Sequence, residues 1–361
     1  MKKSYIHVGL GNFSLQRLIL NLENNRFDPV AFVDINIEES KKKLESIENL
    51  PKDLCKKVFT SITEAKKNCD ATVCIIYVSS ELHADLVIES LSLELNTFCV
   101  KAIACDLEEF KKILKQKEKK KDLVLVQGLN NQWNEASLQM QNLIKDKSFF
   151  GEFQQGHCIM WGMQNLSGEK QKVDVTKDGI FFHSMGCHQL GQLVATIGLP
   201  ESVDCISPVT HNPKLGYHNS IRTSGGSCFF DYGDNRSFSY IGNRAGHGNP
   251  FGFASRWSGQ WLFHGTEGDL VRDRGRITLY KNGNMVKDLF NKDLDDNLIE
   301  DEKKQFEIFH ENLDGNKNNF NLQRQSLETW VLMEACNIAS REKEKVNIKK
   351  LTEELGLYKI C

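Results

Sequence analysis

No large net charge, no long apolar run and no patterned set of cysteines marks this 361-residue chain. With 46 basic and 48 acidic side chains, its formal charge is −2 and its pI lies near 6.6. It therefore carries no basic field for a polyanion to follow, and nucleic acid is not an expected partner. The eleven cysteines include no Cys-x-x-Cys pair and mostly sit in apolar, strand-like runs. Such an odd, unpatterned set argues against a disulfide framework or zinc knuckle and for reduced thiols. No apolar stretch approaches membrane-spanning length, and Met1-Lys2-Lys3 leads directly into a strand pattern without room for a secretory h-region. The expectation is a cytoplasmic protein with no membrane contact and no internal repeat.

What is present is ordinary globular composition, 40% hydrophobic, in a chain longer than one core usually supports. The first third alternates strand patterns (Tyr5–Val8, Val30–Val33, Ala71–Val78, Thr97–Val100, Leu123–Gln127) with amphipathic segments such as Leu15–Leu22 and Leu82–Leu91. Ser61-Ile62-Thr63-Glu64 and Asp106-Leu107-Glu108-Glu109 read as capping boxes that start helices. This alternation predicts an α/β fold with a doubly wound parallel sheet. The lysines Lys117, Lys119, Lys120 and Lys121 fall at a helix end and read as a solvated C-terminus.

The first strand runs into Gly9-Leu10-Gly11-Asn12-Phe13-Ser14, and Asp34 ends the second. A Gly-x-Gly turn lets backbone approach a pyrophosphate, and the following helix N-terminus offers N–H donors to it. Ser14 stands at the third glycine position. Asp34, about 20 residues on, is placed to accept hydrogen bonds from an adenosine ribose. A plain tight turn is the alternative. No arginine follows Asp34 to neutralise a 2′-phosphate; Ile35, Asn36 and Ile37 come next. Like charges about 4 Å apart cost roughly 4 kcal/mol at an effective dielectric near 20, so NAD is expected over NADP.

From about Asn130 the pattern changes. A helix over Glu135–Ile144 and a strand over Glu152–Trp161 precede a charged loop around Gly168–Lys172 and an apolar helix over His183–Ile197. Strands follow at Val203–Val209, Asn219–Thr223, Ser227–Tyr232, Ser237–Ile241, Gln260–His264 and Gly268–Val271. Turns are expected at Gly225-Gly226, Gly233-Asp234-Asn235 and Lys281-Asn282-Gly283-Asn284. This run predicts a mainly antiparallel open sheet covered by helices on one face. The polar stretch Asp293–Asn319 reads as an excursion or loop, and Gln323–Ala339 as a long helix. The expected domains are 1–127 and 128–361, with helix 323–339 packing back towards the first.

Taken together, these features resemble the glucose-fructose oxidoreductase and inositol dehydrogenase family, often called Gfo/Idh/MocA. The resemblance rests on Val8-Gly9-Leu10-Gly11, on Tyr77-Val78-Ser79-Ser80 followed by His83, and on Val100-Lys101-Ala102 where the family usually has Glu-Lys-Pro. It continues through Gly128-Leu129-Asn130-Asn131-Gln132-Trp133, Gly151-Glu152 and Ser184-Met185-Gly186-Cys187-His188-Gln189-Leu190-Gly191, the last lying over an Asp-x-Gly-x-His-x-x-Asp run. It ends at Phe263-His264-Gly265-Thr266-Glu267-Gly268.

The resemblance implies a Rossmann domain followed by an α+β domain, a dinucleotide held by Gly9, Gly11, Asn12, Phe13, Asp34, Ser79, His83 and Lys101, and hydride transfer at a sugar or cyclitol carbon. Lys101 would hold the substrate oxygen and lower the pKa of the neighbouring acid/base. His188 is the expected acid/base, since imidazole titrates near neutrality and can take and return a proton. Ser184 replaces the family's aspartate on the same expected helix face, so it can hydrogen-bond but brings no charge. His183 or Asp178 could substitute. His183 and Cys187 lack a third ligand at recognisable spacing, so no metal is expected.

Asn130, Trp161 and His183 are the candidate substrate-binding groups, with Trp133, Tyr217, His218, Arg222, Tyr240, Arg244 and His247 as unassigned polar or aromatic neighbours. Three readings stand at this point: a sugar, sugar-nucleotide or cyclitol dehydrogenase, a non-catalytic NAD sensor, and an epimerase or eliminase that retains its NAD. A homodimer or homotetramer through the second-domain sheet is also implied.

Overall fold

The computed structural model describes residues 1–162, 181–208, 224–244, 246, 258–292, 299–315 and 321–360. Tyr217, His218, Arg222, His247, Asp178, the loop at 168–172 and the strand at 219–223 lie outside them. In chain order the first elements are β1 (Lys3–Val8), α1 (Asn12–Asn24), β2 (Phe27–Val33), α2 (Ile37–Glu45), β3 (Val58–Phe59), α3 (Ile62–Lys67), β4 (Val73–Ile76), α4 (His83–Ser92), β5 (Asn96–Val100), α5 (Leu107–Lys119) and β6 (Leu125–Gly128). Then come α6 (Glu135–Lys145), β7 (Phe153–Trp161), a π-helical turn (Phe182–Gly186), α7 (Cys187–Ile197), β8 (Ser202–Ile206), β9 (Gly225–Asp231), β10 (Ser237–Asn243) and β11 (Gln260–Gly265). The chain continues through β12 (Gly268–Asp273), β13 (Arg276–Lys281), β14 (Asn284–Asn291), α8 (Ile299–Leu313), α9 (Leu322–Glu342), β15 (Val346–Asn347) and α10 (Ile348–Glu354).

Two compact units result, one of residues 1–128, 302–327 and 355–361, the other of 129–301 and 328–354. In the first, six parallel strands lie in the order β3-β2-β1-β4-β5-β6. Such strands are covered on both faces and so read as continuous apolar runs; β4 is buried at every residue. Both expected caps form. Ser61 Oγ accepts the Glu64 N–H at 3.1 Å and Asp106 the Glu109 N–H at 2.8 Å. The returning glutamates reach one residue beyond the cap, to the N–H groups of Thr60 and Cys105.

Two expectations for this unit are corrected. The stretch 293–319 is not simply an excursion, because 299–313 is helix α8. Its polarity is all on average; Phe306 and Phe309, one turn apart, pack on Phe27 and Phe98. Lys117 is wholly buried, not solvated, with its ammonium donating to the carbonyls of Lys120 and Lys121 at the helix end. The edge strand β6 is covered by side chains from α9. Its Leu125 and Gln127 N–H groups donate to Gln323 Oε1 and Ser326 Oγ.

The second unit is built on a nine-stranded sheet, ordered β14-β13-β12-β11-β7-β10-β9-β8-β15. Neighbours are antiparallel except β7 and β10. The Gly225-Gly226 pair is a correction: it begins β9 and does not form a turn. The ring of Phe182 occupies the space a Cβ on Gly226 would need, and that of Phe181 does the same at Gly242. The hairpin at 281–284 is as expected, with Asn282 and Gly283 at φ 51° and 76°. Its strands β13 and β14 were not expected, β14 being almost wholly exposed and poor in alternating apolar residues.

The wholly buried Arg272 ties β12 to α6 by donating to Ser137 Oγ at 2.8 Å and Asn134 Oδ1 at 3.2 Å. Burial pushes its guanidinium down to about 10. On the opposite sheet face, Ile206, Phe229 and Ile241 are exposed. Among the described residues, no helix is long and apolar enough to cross a membrane.

Candidate functional site

The parallel sheet sets β1, β2, β4 and β5 side by side, so the loops after Val8, Val33, Ile76 and Val100 emerge at one carboxyl edge. The chain reverses direction of winding between β1 and β4, where open α/β sheets bind ligands. Gly9 turns the chain there at φ 90°, and a Cβ on it would collide with the Tyr77 carbonyl. Gly11 differs, because a Cβ on it would meet nothing within 4 Å. The absent side chain leaves room above the N-terminus of α1, whose first N–H groups have no side-chain cap. Asp34 stands beside this space. Its carboxylate accepts the Leu10 N–H at 2.8 Å and the Asn36 N–H at 2.9 Å, which fixes its position while leaving lone pairs for a ribose diol.

Under the loop lies a network that no strand pattern announces. Ser14 Oγ donates to the Gly9 carbonyl at 2.6 Å, and His7 Nε2 lies 2.7 Å from the same hydroxyl. A hydroxyl has one proton, so Ser14 must accept from His7, and the neutral imidazole carries its hydrogen on Nε2. His7 is wholly buried among Tyr5, Phe32 and Tyr77, and burial drives its pKa down to about 3. Its signal in the sequence is a lone polar residue in an apolar strand.

The other predicted cofactor residues of this unit divide into exposed and buried groups. Gly11, Asn12, Phe13 and Ser79 are exposed at the carboxyl edge, with Phe13 held by Arg17 over its ring at 4.2 Å and by an edge contact with Tyr77. His83 is buried, with Nδ1 2.6 Å from the Ala102 carbonyl and Nε2 3.0 Å from that of Val78. Both ring nitrogens face backbone, which makes His83 a positioning group that ties the loop after β4 to the loop after β5. Lys101 begins the latter loop, half-buried, and its peptide bond to Ala102 is cis. Gln127 holds the same loop by accepting the Ile103 N–H at 3.0 Å.

The second unit gathers the remaining candidates. Trp161 and Asn243 are register partners at the shared end of β7 and β10, and Arg244 follows directly. Arg244 Nη1 donates to Ser184 Oγ at 2.6 Å. The position that resemblance gives to an aspartate thus carries a hydroxyl held by a guanidinium. Ser184 lies in a π-helical turn of five residues, packed by Phe181 and Phe182 against the sheet. A single α-helix over His183–Ile197 was expected. The i→i+5 turn changes the facing, bringing residue 183 closer to the face of His188 than an α-helix would.

His183 is buried, stacked on Trp330, with Nε2 3.4 Å from Glu334 Oε2 and 3.3 Å from Asn337 Nδ2. Those partners sit about 150 residues downstream and gave no sequence signal. His188 is buried in the first turn of α7, which Gln189 fastens to the Tyr240 hydroxyl. Asn130 is buried, its carbonyl accepting the Trp133 N–H at 2.9 Å. Gly191 packs against Leu129 and Gln132, where a Cβ would sit 3.0 Å from Leu129 Cδ1. Among the described residues, no group of three or more histidine, cysteine or acidic side chains is arranged to hold a metal.

A parallel sheet wound in this order, with a glycine turn at its switch point and a carboxylate ending the next strand, defines a dinucleotide-binding oxidoreductase domain. Residues 3–128 match the model of the Gfo/Idh/MocA oxidoreductase family with its NAD-binding Rossmann fold, and over this domain the chain is similar to that family. No curated protein matches the sequence. Solved structures do match over almost the full length. An oxidoreductase of Agrobacterium radiobacter in complex with NAD+, L-tartaric acid and magnesium superposes with a TM-score of 0.79 at 14% identity, covering 97% of this chain and 100% of that one. The WlbA dehydrogenase of Chromobacterium violaceum, in complex with NADH and UDP-GlcNAcA, gives 0.73 at 16%, covering 96% and 95%. The myo-inositol 2-dehydrogenase of Lactobacillus plantarum gives 0.70 at 17%, covering 96% and 99%.

Proposed function

We propose that the protein is an NAD(H)-dependent dehydrogenase or reductase acting on a CH–OH or keto carbon of a sugar, sugar nucleotide or cyclitol. The observation that carries this reading is the open space at Gly11 over the α1 N-terminus, with the Asp34 carboxylate fixed beside it. The residues fit the cofactor: backbone N–H groups for the pyrophosphate and Asp34 for the ribose. The WlbA and inositol dehydrogenase likenesses support a polyhydroxylated substrate. When bound, the nicotinamide would accept or supply the hydride.

The chain's own residues do the rest of the work in this reading. Lys101 brings positive charge to the substrate oxygen, and His188 takes or returns the alcohol proton. Asn130 and Trp161 contribute polar and stacking contacts. His183 holds its place against Glu334, whose carboxylate orients that ring. Arg244 and Ser184 favour the sensor as a second reading, because they put a cation where an acid/base dyad needs a carboxylate. Retained NAD with turnover of an epimer or elimination substrate would mark the third.

The exposed Ile206, Phe229 and Ile241 on the open sheet suit a homodimer or homotetramer interface, and free thiols suit the cytoplasm. NADH fluorescence titration followed by a screen of nucleotide sugars and inositols tests the proposal. Turnover that falls at least about a hundredfold in Lys101→Ala and His188→Ala is expected. Binding without turnover on any substrate would favour the sensor, and failure to bind either dinucleotide would end both readings.

A further inference from the structure

Away from these candidates, three thiols meet in the second unit. β8 and β9 pair antiparallel in a register that sets Cys205 opposite Cys228, and their sulfurs lie 3.2 Å apart. Cys336 of α9 brings a third sulfur within 3.8 Å of Cys228. All three are buried, at 8%, 5% and 0% exposure, on the sheet face opposite Ile206 and Phe229. Directly opposed residues on antiparallel strands have Cα atoms about 4.5–5.5 Å apart. A disulfide spans about 4.4–6.8 Å, so the bond can close by side-chain rotation without moving either strand.

We propose that Cys205 and Cys228 form a reversible cross-strand disulfide on exposure to a hydroperoxide, with Cys336 as the thiol that exchanges with it. The Cys205 thiolate attacks a peroxide oxygen; the O–O bond breaks, water or an alcohol leaves, and Cys205 becomes a sulfenic acid. The Cys228 sulfur then attacks that of Cys205, the S–O bond breaks, and the departing hydroxide leaves as water with the Cys228 proton. Two thiols lose two electrons in total and the peroxide gains them. Cys336 can attack the Cys228 sulfur, moving the bond to Cys228–Cys336 and freeing Cys205, until an external dithiol reduces the pair.

The order of attack follows from the surroundings. Burial holds Cys228 and Cys336 well above the usual thiol range, whereas Cys205, the sulfur on which its two neighbours converge, is held below it. Cys336 also lies between Glu334 and Asn337, two of the residues that touch His183. Oxidation of the cluster therefore acts within one helical turn of two contacts of His183.

The test treats the full-length protein with hydrogen peroxide, quenches in acid, alkylates under denaturing conditions and maps peptides without reduction. The wild type should show two fewer alkylatable thiols and a peptide pair joining positions 205 and 228, two hydrogens lighter and restored by dithiothreitol. Cys336→Ser should still form that pair, and Cys205→Ser should lose it. Because the wild type reports by itself, poor folding of a variant does not blunt the result. Full alkylation of Cys205 and Cys228 after peroxide, or links that include neither the 205–228 nor the 228–336 pair, would overturn the proposal.

Discussion

Replacing His7 by glutamine should flatten the acid limb of the protein's stability. Unfolded, His7 titrates at the ordinary imidazole value of 6.5; folded, it is driven down to about 3 because a cation would sit wholly buried in the sheet. Above pH 6.5 both states hold it neutral and its packing contributes in full. As pH falls below 6.5 the unfolded chain binds a proton that the fold refuses, so stability drops until protonation of the folded form near pH 3 ends the decline. The slope is about 1.4 kcal/mol per pH unit, giving roughly 2–3 kcal/mol by about pH 4.5 and roughly 4–5 kcal/mol over the full interval.

Glutamine can still donate to Ser14 Oγ from the place of Nε2 but cannot titrate. Urea unfolding of wild type and His7→Gln at about pH 7.5, 6, 5 and 4.5 isolates the effect, since other titrating groups cancel in the difference. The wild type should fall towards the variant and then below it, by roughly 2–3 kcal/mol relative to their gap at neutrality. A constant gap across that range would refute both the buried neutral imidazole and the tautomer assigned to it.

Gly11→Val should weaken NADH binding by at least about tenfold with little change in melting temperature, because its added atoms enter open space. Gly9→Ala, strained at φ 90° against the Tyr77 carbonyl, should instead lower stability by roughly 1–3 kcal/mol, read by thermal melting. Asp34→Arg should reverse the ratio of NADH to NADPH affinity in fluorescence titration; an unchanged ratio would remove Asp34 from ribose recognition. Arg272→Met should cost roughly 2–4 kcal/mol in urea unfolding, since Asn134 and Ser137 lose buried charge-assisted partners.

The first unit was legible in sequence because its buried strands are mostly apolar runs and the starts of α1, α3 and α5 are marked by a glycine turn or a capping box. Physical causes also explain what escaped. α8 hides its two phenylalanines in a polar average, and β14 is exposed at nearly every position and lacks the alternation that marks a strand. The π-turn at 182–186 is a packing outcome set by glycines on two distant strands. Of the candidate site, the local part could be read: Gly9, Gly11 and Asp34 lie on successive elements. The pairs Arg244–Ser184 and Glu334–His183 join residues 60 and 151 positions apart (334 − 183), and no local pattern encodes them.

Residues 302–327 complete the first unit after the chain has already run through 129–301 of the second. As the chain leaves the ribosome, the aromatic face formed by Phe27 and Phe98 therefore has to wait, uncovered, until Phe306 and Phe309 have been made. The Arg17 guanidinium waits with it for Glu302. The cofactor-binding half is begun first and closed late, which makes the intervening domain an insertion the folding pathway must accommodate and exposes this surface to chaperones during synthesis. A fragment ending at Gly128 would contain every strand of the Rossmann sheet and still lack one of its walls.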